Sequence, residues 1–143
     1  MILDTTYLLP LAGIGVDTDL LKAVFEDKAK LRLEDFSVSL ISIFELQAKA
    51  AKLKVPVSTV LSAVKTITKV FKVIPFYDVE VIDKSFELRK HISDYIDCII
   101  VATAIVLKKD LVTEDTLIHE NKKLIKENYG VNIFDYKSLV KST

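Results

Sequence analysis

Five short apolar runs are spaced along this chain with helix-length amphipathic stretches between them, and that alternation constrains the fold more than any other feature. The runs fall at residues 1–3, 36–41, 73–76, 109–113 and 131–134, and each reads as a strand. Strands separated by helices through short connections form right-handed crossovers, and such crossovers build a parallel sheet covered on both faces. The expected architecture is a three-layer α/β/α sandwich with a parallel sheet of four to five strands. At 143 residues, half of them hydrophobic, the chain is sized for a single domain covering residues 1–143.

The helices announce themselves by their caps and by their periodicity. Thr5 or Thr6 caps a first helix through residue 12, and Asp17 opens a second, in which Leu20, Leu21, Val24 and Phe25 recur at helical spacing. Ser42-Ile43-Phe44-Glu45 has the spacing of a capping box, opening a helix that Pro56 stops. Another amphipathic helix covers residues 58–71, and Pro75 places the third strand near a sheet edge. Residues 79–92 and the more apolar 94–107 follow as helices. A last long helix, 117–128, is broken by Gly130, and a short terminal helix follows the fifth strand.

Composition narrows the function. Twenty basic residues balance twenty acidic ones, which argues against an indiscriminate basic coat for nucleic acid. Cys98, the lone cysteine, sits in an apolar segment and reads as a small buried residue in a reducing, cytoplasmic setting. The amino terminus lacks the positive leader of a signal peptide, and the longest apolar run, 98–107, is about half a membrane span. Three glycines leave no phosphate-binding loop of the Gly-rich kinds. His91 and His119, expected on helix surfaces, show no zinc-ligand spacing with Cys98.

What remains is acidic. Asp4, Glu45, Asp97 and Asp115 each sit at the hinge between a strand-like run and a helix-like run. In a parallel α/β sheet those hinges share one edge, where ligands bind. Helix dipoles add only about half a charge each there, too little to hold several carboxylates ionised side by side. A hard divalent cation, Mg²⁺ or Mn²⁺, supplies the missing charge and acts on phosphate by activating water and stabilising the leaving oxygen. Phosphodiester hydrolysis is the natural reaction.

Each acid has a structural alternative. Asp4 and Asp115 can cap the helices that follow them, Glu45 can close its capping box, and Asp97 can serve the dipole of its helix. Asp94, one turn earlier on the same face as Asp97, reads more readily as a cap than as a ligand. Tyr7 and Tyr95 lie near the proposed edge as packing residues, with stacking on an unpaired base as the lesser reading.

Four blocks together resemble the PIN-domain nucleases, most closely the small ribonucleases of the VapC toxin type. They are Ile2-Leu3-Asp4-Thr5-Thr6, Ser42-Ile43-Phe44-Glu45-Leu46, Asp97-Cys98-Ile99-Ile100-Val101-Ala102-Thr103-Ala104 and Leu111-Val112-Thr113-Glu114-Asp115. The resemblance implies a Mg²⁺- or Mn²⁺-dependent endoribonuclease acting on RNA, a homodimer held inactive by a small antitoxin protein. Asp4, Glu45, Asp97 and Asp115 match its acidic quartet, with Asp4, Asp97 and Asp115 as metal ligands and Glu45 completing the shell or orienting water. Thr5, Thr6 and Thr113 match the hydroxyl positions that support those acids. The continuation Thr116-Leu117-Ile118-His119 departs from the usual acidic or aromatic pattern, leaving Asp94 or Glu114 to substitute for a fifth acid. A housekeeping RNA-processing nuclease and a non-catalytic PIN-fold interaction module are the competing readings. A phosphorylated receiver domain would need paired acids after its first strand and a lysine after its last, and the chain offers neither.

Overall fold

Strand residues alternate between two faces, so a two-residue strand with both residues buried must be covered on both sides. The first strand, β1 (Ile2–Leu3), does this. Ile2 packs into one apolar cluster with Leu88, Ile100 and Leu111, while Leu3 packs into the other with Val38, Leu46 and Ile67. The computed structural model describes residues 1–140, and its three layers follow from that division.

All five strands are parallel, in the order β3-β2-β1-β4-β5, with β2 at Ser37–Ser39, β3 at Lys72–Ile74, β4 at Leu111–Val112 and β5 at Ile133–Phe134. β1 pairs with β2 on one side and β4 on the other, Leu3 lying opposite both Val38 and Val112. The strand order reverses between β1 and β4. As Pro75 predicted, β3 is an edge strand, and the proline lies just beyond it.

The helices are α1 (Leu20–Phe25), α2 (Leu40–Lys52), α3 (Val57–Val70), α4 (Val79–Leu88), α5 (Tyr95–Leu107), α6 (Thr116–Glu120), α7 (Lys122–Tyr129) and α8 (Tyr136–Leu139). α5 carries an unbroken buried run from Cys98 to Ala104 and packs on α4 and beneath β1 and β2. Among the described residues no helix is long and apolar enough to cross a membrane.

Four local expectations need correcting. Residues 5–12 wind as a 3-10 helix, with Pro10 inside it and Gly13 closing it at φ 75°. The helix expected from Asp17 begins at Leu20, where Asp19 Oδ1 accepts the Lys22 N–H at 3.1 Å. α2 begins three residues earlier than the Ser42 capping box implies, because Ser39 Oγ accepts the Ile41 N–H. The 117–128 helix is two helices meeting at Asn121, whose Nδ2 donates to the Leu117 carbonyl at 2.9 Å. Gly130 ends α7 with φ 72°, as expected of a glycine past a helix end.

Candidate metal centre

Asp4 leaves β1 at the edge where the strand order reverses, and it is buried, with 8% of its surface exposed. A buried carboxylate needs donors. Its Oδ1 accepts the Thr5 N–H at 2.7 Å, and its Oδ2 accepts the Thr113 hydroxyl, which sits 109 residues away at the end of β4. The same Thr113 oxygen accepts the Asp115 N–H at 3.0 Å, so one hydroxyl joins the Asp4 side chain to the backbone that carries Asp115. Asp115 Oδ1 caps α6 by accepting the Ile118 N–H at 2.9 Å. Its capping role is thus real, and its second oxygen is not used by that cap.

Glu45 comes from the second turn of α2, which packs on the 5–12 segment. Thr5 Oγ1 donates to Glu45 Oε1 at 2.5 Å and lies 3.0 Å from the buried Ser42 Oγ. Glu45 therefore closes no capping box; its hydroxyl partner is the residue that follows Asp4. Asp94 caps α5, its Oδ1 accepting the N–H groups of Ile96 at 2.9 Å and Asp97 at 3.2 Å. Asp97 itself is half-buried in the first turn of that helix.

The electrostatics join these groups. Burial pushes the Asp97 carboxyl up to about 7, and the charges of Asp115, Asp94, Asp4 and Glu45 push it the same way. Asp4 is raised chiefly by burial, against the pull of its bonds from Thr113 and Thr5, with Asp115 and Asp94 adding to the rise. Glu45 is raised by burial and by Asp4 and Asp94, with the Thr5 bond opposing. Five acids thus share one field with no cation among the causes.

As they stand, no three His, Cys, Asp or Glu side chains among the described residues close around one point tightly enough to cage an ion. The donor set still fits a magnesium-type ion. It is all oxygen and carries unbalanced negative charge, and Mg²⁺ keeps several waters and takes one or two carboxylates plus substrate phosphate rather than a full protein cage.

The remaining residues sort cleanly. Thr6 is half-buried, and among the described residues its side chain makes no hydrogen bond into this network. Glu114 accepts the Tyr7 hydroxyl and, at 2.8 Å, the Tyr136 N–H. Tyr7 is fully buried, a packing residue with its hydroxyl satisfied, whereas Tyr95 is exposed and meets Phe86 edge to face at 5.7 Å. His119, expected on a surface, is half-buried, and its Nε2–H donates to the Thr113 carbonyl at 2.7 Å, bracing the end of β4. Cys98 is buried and its thiol is pushed up to about 11 by burial, as an inert apolar residue should be. Ser42 and His119 escaped sequence reasoning in these roles: Ser42 meets Thr5 from 37 residues away, and the His119 ring turns back from α6 to a strand-end carbonyl six residues earlier, a contact no helical spacing marks.

Thr113→Val keeps the shape of the side chain and removes the donor to Asp4 and the acceptor for Asp115. We expect a loss of about 1–3 kcal/mol in stability and about 10–100-fold in divalent-metal affinity, measured by denaturant unfolding and by Mn²⁺ titration. Unchanged metal affinity would refute the bridging role.

The family model described as the PIN domain matches residues 1–124. No curated protein sequence gives a match. Among solved structures, FitAcB from Neisseria gonorrhoeae is similar, with a TM-score of 0.66 over 96% of this chain and 99% of that one, at 22% identity. VapBC2 from Rickettsia felis, solved bound to a DNA fragment from its promoter, gives 0.64 over 94% and 96%, at 21% identity. A toxin-antitoxin complex from Klebsiella pneumoniae gives 0.59 over 80% and 86%, at 22% identity. Likeness at this identity establishes the shared fold, and the family match runs unbroken from Asp4 through Asp115: the chain belongs to the PIN domain family.

Proposed function

We propose that this protein is a Mg²⁺- or Mn²⁺-dependent endoribonuclease that hydrolyses RNA phosphodiester bonds as the toxin of a toxin-antitoxin pair. The observation that carries the reading is the setting of Asp97, a half-buried carboxylate pushed up first by burial and then by the charges of four other acids. Such a cluster is costly to keep without a cation, and PIN-domain proteins are generally divalent-metal nucleases.

When bound, a magnesium-type ion would neutralise part of that charge and polarise the scissile phosphate. Asp4, Asp97 and Asp115 are the residues that would hold it, with Glu45 completing the shell or orienting a water. Thr113 and Thr5 hold the acids in place, the first through Asp4 and the Asp115 backbone, the second through Glu45. Water's oxygen bonds to phosphorus as the bond to the leaving oxygen breaks, and that oxygen leaves with a proton. Asp94 remains a cap, which favours four acids over five.

The toxin reading is supported by the toxin-antitoxin complex from Klebsiella pneumoniae among proteins of the same fold. Protein partners, a small antitoxin and a second copy of this chain, suit a surface that exposes Phe25, Phe44, Val79 and Phe86.

A panel of structured and single-stranded RNAs incubated with the purified protein tests the activity. Cleavage should require Mg²⁺ or Mn²⁺ and stop with EDTA. Undiminished cleavage in EDTA would refute the metal's role, and an inert protein with every RNA and both metals would favour the interaction-module reading. A short protein that co-purifies would separate a toxin from a housekeeping nuclease.

A further inference from the structure

Glu114 stands in the chain between Thr113 and Asp115, yet its side chain serves different partners. Its Oε2 accepts both the Tyr7 hydroxyl and the Tyr136 N–H. Tyr7 is fully buried, three residues after Asp4, and Tyr136 is the first residue of α8. A buried phenol must keep its hydrogen bond, so this junction is not free to drift. α8 is fixed in its turn: Asp135 Oδ1 accepts the Ser138 N–H at 2.8 Å, and Ala29 bridges Val140. One carboxylate oxygen therefore ties together the segment after β1, the turn after β4 and the C-terminal helix. Anchoring Glu114 fixes the backbone from which Thr113 and Asp115 project.

We propose that Glu114 is a positioning residue that, through Tyr7 and α8, sets the separation of Asp4 and Asp115 and hence the affinity of that edge for a divalent cation. The inference rests on reading the edge as a cation site, and it removes Glu114 from the candidate ligands. Both bonds need an acceptor at that position and neither needs a charge, so a glutamine carbonyl oxygen can replace the carboxylate.

The test is Mn²⁺ binding to the full chain, followed by the electron paramagnetic resonance of free Mn²⁺, together with RNA cleavage resolved into kcat and KM. Glu114→Gln should bind Mn²⁺ within about twofold of the wild type, whereas Glu114→Ala should bind about 10–100-fold more weakly. Tyr7→Phe should weaken binding in the same direction, with cleavage recovering at saturating Mn²⁺. If Glu114→Gln is as weak as Glu114→Ala, the carboxylate is a ligand and the proposal falls. It falls equally if Glu114→Ala and Tyr7→Phe both bind Mn²⁺ like the wild type. Should Glu114→Ala fail to fold, Tyr7→Phe against Glu114→Gln decides the matter. A wild-type protein that binds Mn²⁺ but cleaves no RNA ends the nuclease reading alone, while one that binds no Mn²⁺ ends both.

Discussion

Asp97→Ala should lower RNA cleavage by more than about 100-fold, since loss of even an outer partner of a metal ligand costs about 10–100-fold, and it should leave the fold intact. Asp97 is half-buried and makes no cap of its own; Asp94 does the capping of α5. Four neighbouring acids already disfavour its charge, so its removal relieves repulsion in the metal-free protein. The melting temperature of the variant in EDTA should therefore equal or exceed that of the wild type, a trade-off expected at functional sites. Gel-based cleavage and circular dichroism melting check the two halves together. Full metal-dependent activity in the variant would contradict the role, and loss of activity with collapse of the fold would make Asp97 structural.

The second large effect couples pH to metal. Asp97 is near 3.8 in an unfolded chain and about 7 in the folded protein. Between those values the folded state binds more protons than the unfolded state, so stability is fully present below about pH 4 and falls as pH rises through 7. Asp4 and Glu45 are shifted in the same direction. Asp135 and Glu87 are shifted down, so their contributions fade only at the acid end of the range. The amino terminus is lowered from 8.0 and partly opposes the slope near neutrality, but it does so equally in Asp97→Asn. The wild type in EDTA should thus lose more stability than Asp97→Asn between pH 5 and pH 8. Added Mg²⁺ should restore it, by about 2.7 kcal/mol at a hundredfold excess over the dissociation constant, and should do so far more at pH 8 than at pH 5, where protons compete for the carboxylates. Melting scans at both pH values check this. A Mg²⁺ effect as large at pH 5 as at pH 8 would refute it.

Much of this molecule was legible before any coordinates. The runs 1–3 and 109–113 read as strands because helix-length stretches separate them from their neighbours, and they contain β1 and β4; the expectation that Asp4, Glu45, Asp97 and Asp115 meet comes from the rule that strand ends share an edge. The misread boundary at Ser42 has a local cause. Leu40 and Ile41 continue the apolar run of β2, and a short apolar stretch does not distinguish the last residues of a strand from the first turn of a helix. Its other cause is distant, since the Ser42 hydroxyl meets Thr5 from 37 residues away. Asn121 divides a helix that periodicity alone would continue, because its side chain reaches back to the Leu117 carbonyl. The Tyr7–Glu114–Tyr136 junction left no local pattern at all. Spacing along a chain records helix faces and strand faces, and such a knot belongs to neither.

The Thr113 hydroxyl reaches Asp4 across 109 positions of sequence, and β4 follows β1, β2 and β3 in the chain. Until that strand has joined the sheet, the first carboxylate has neither its hydroxyl donor nor Asp115 beside it, and pairing segments so far apart in sequence carries a large loop-closure cost. The acidic edge is therefore completed only together with the sheet: a chain cut short before β4 would carry Asp4, Glu45 and Asp97 without the hydroxyl that holds the first of them.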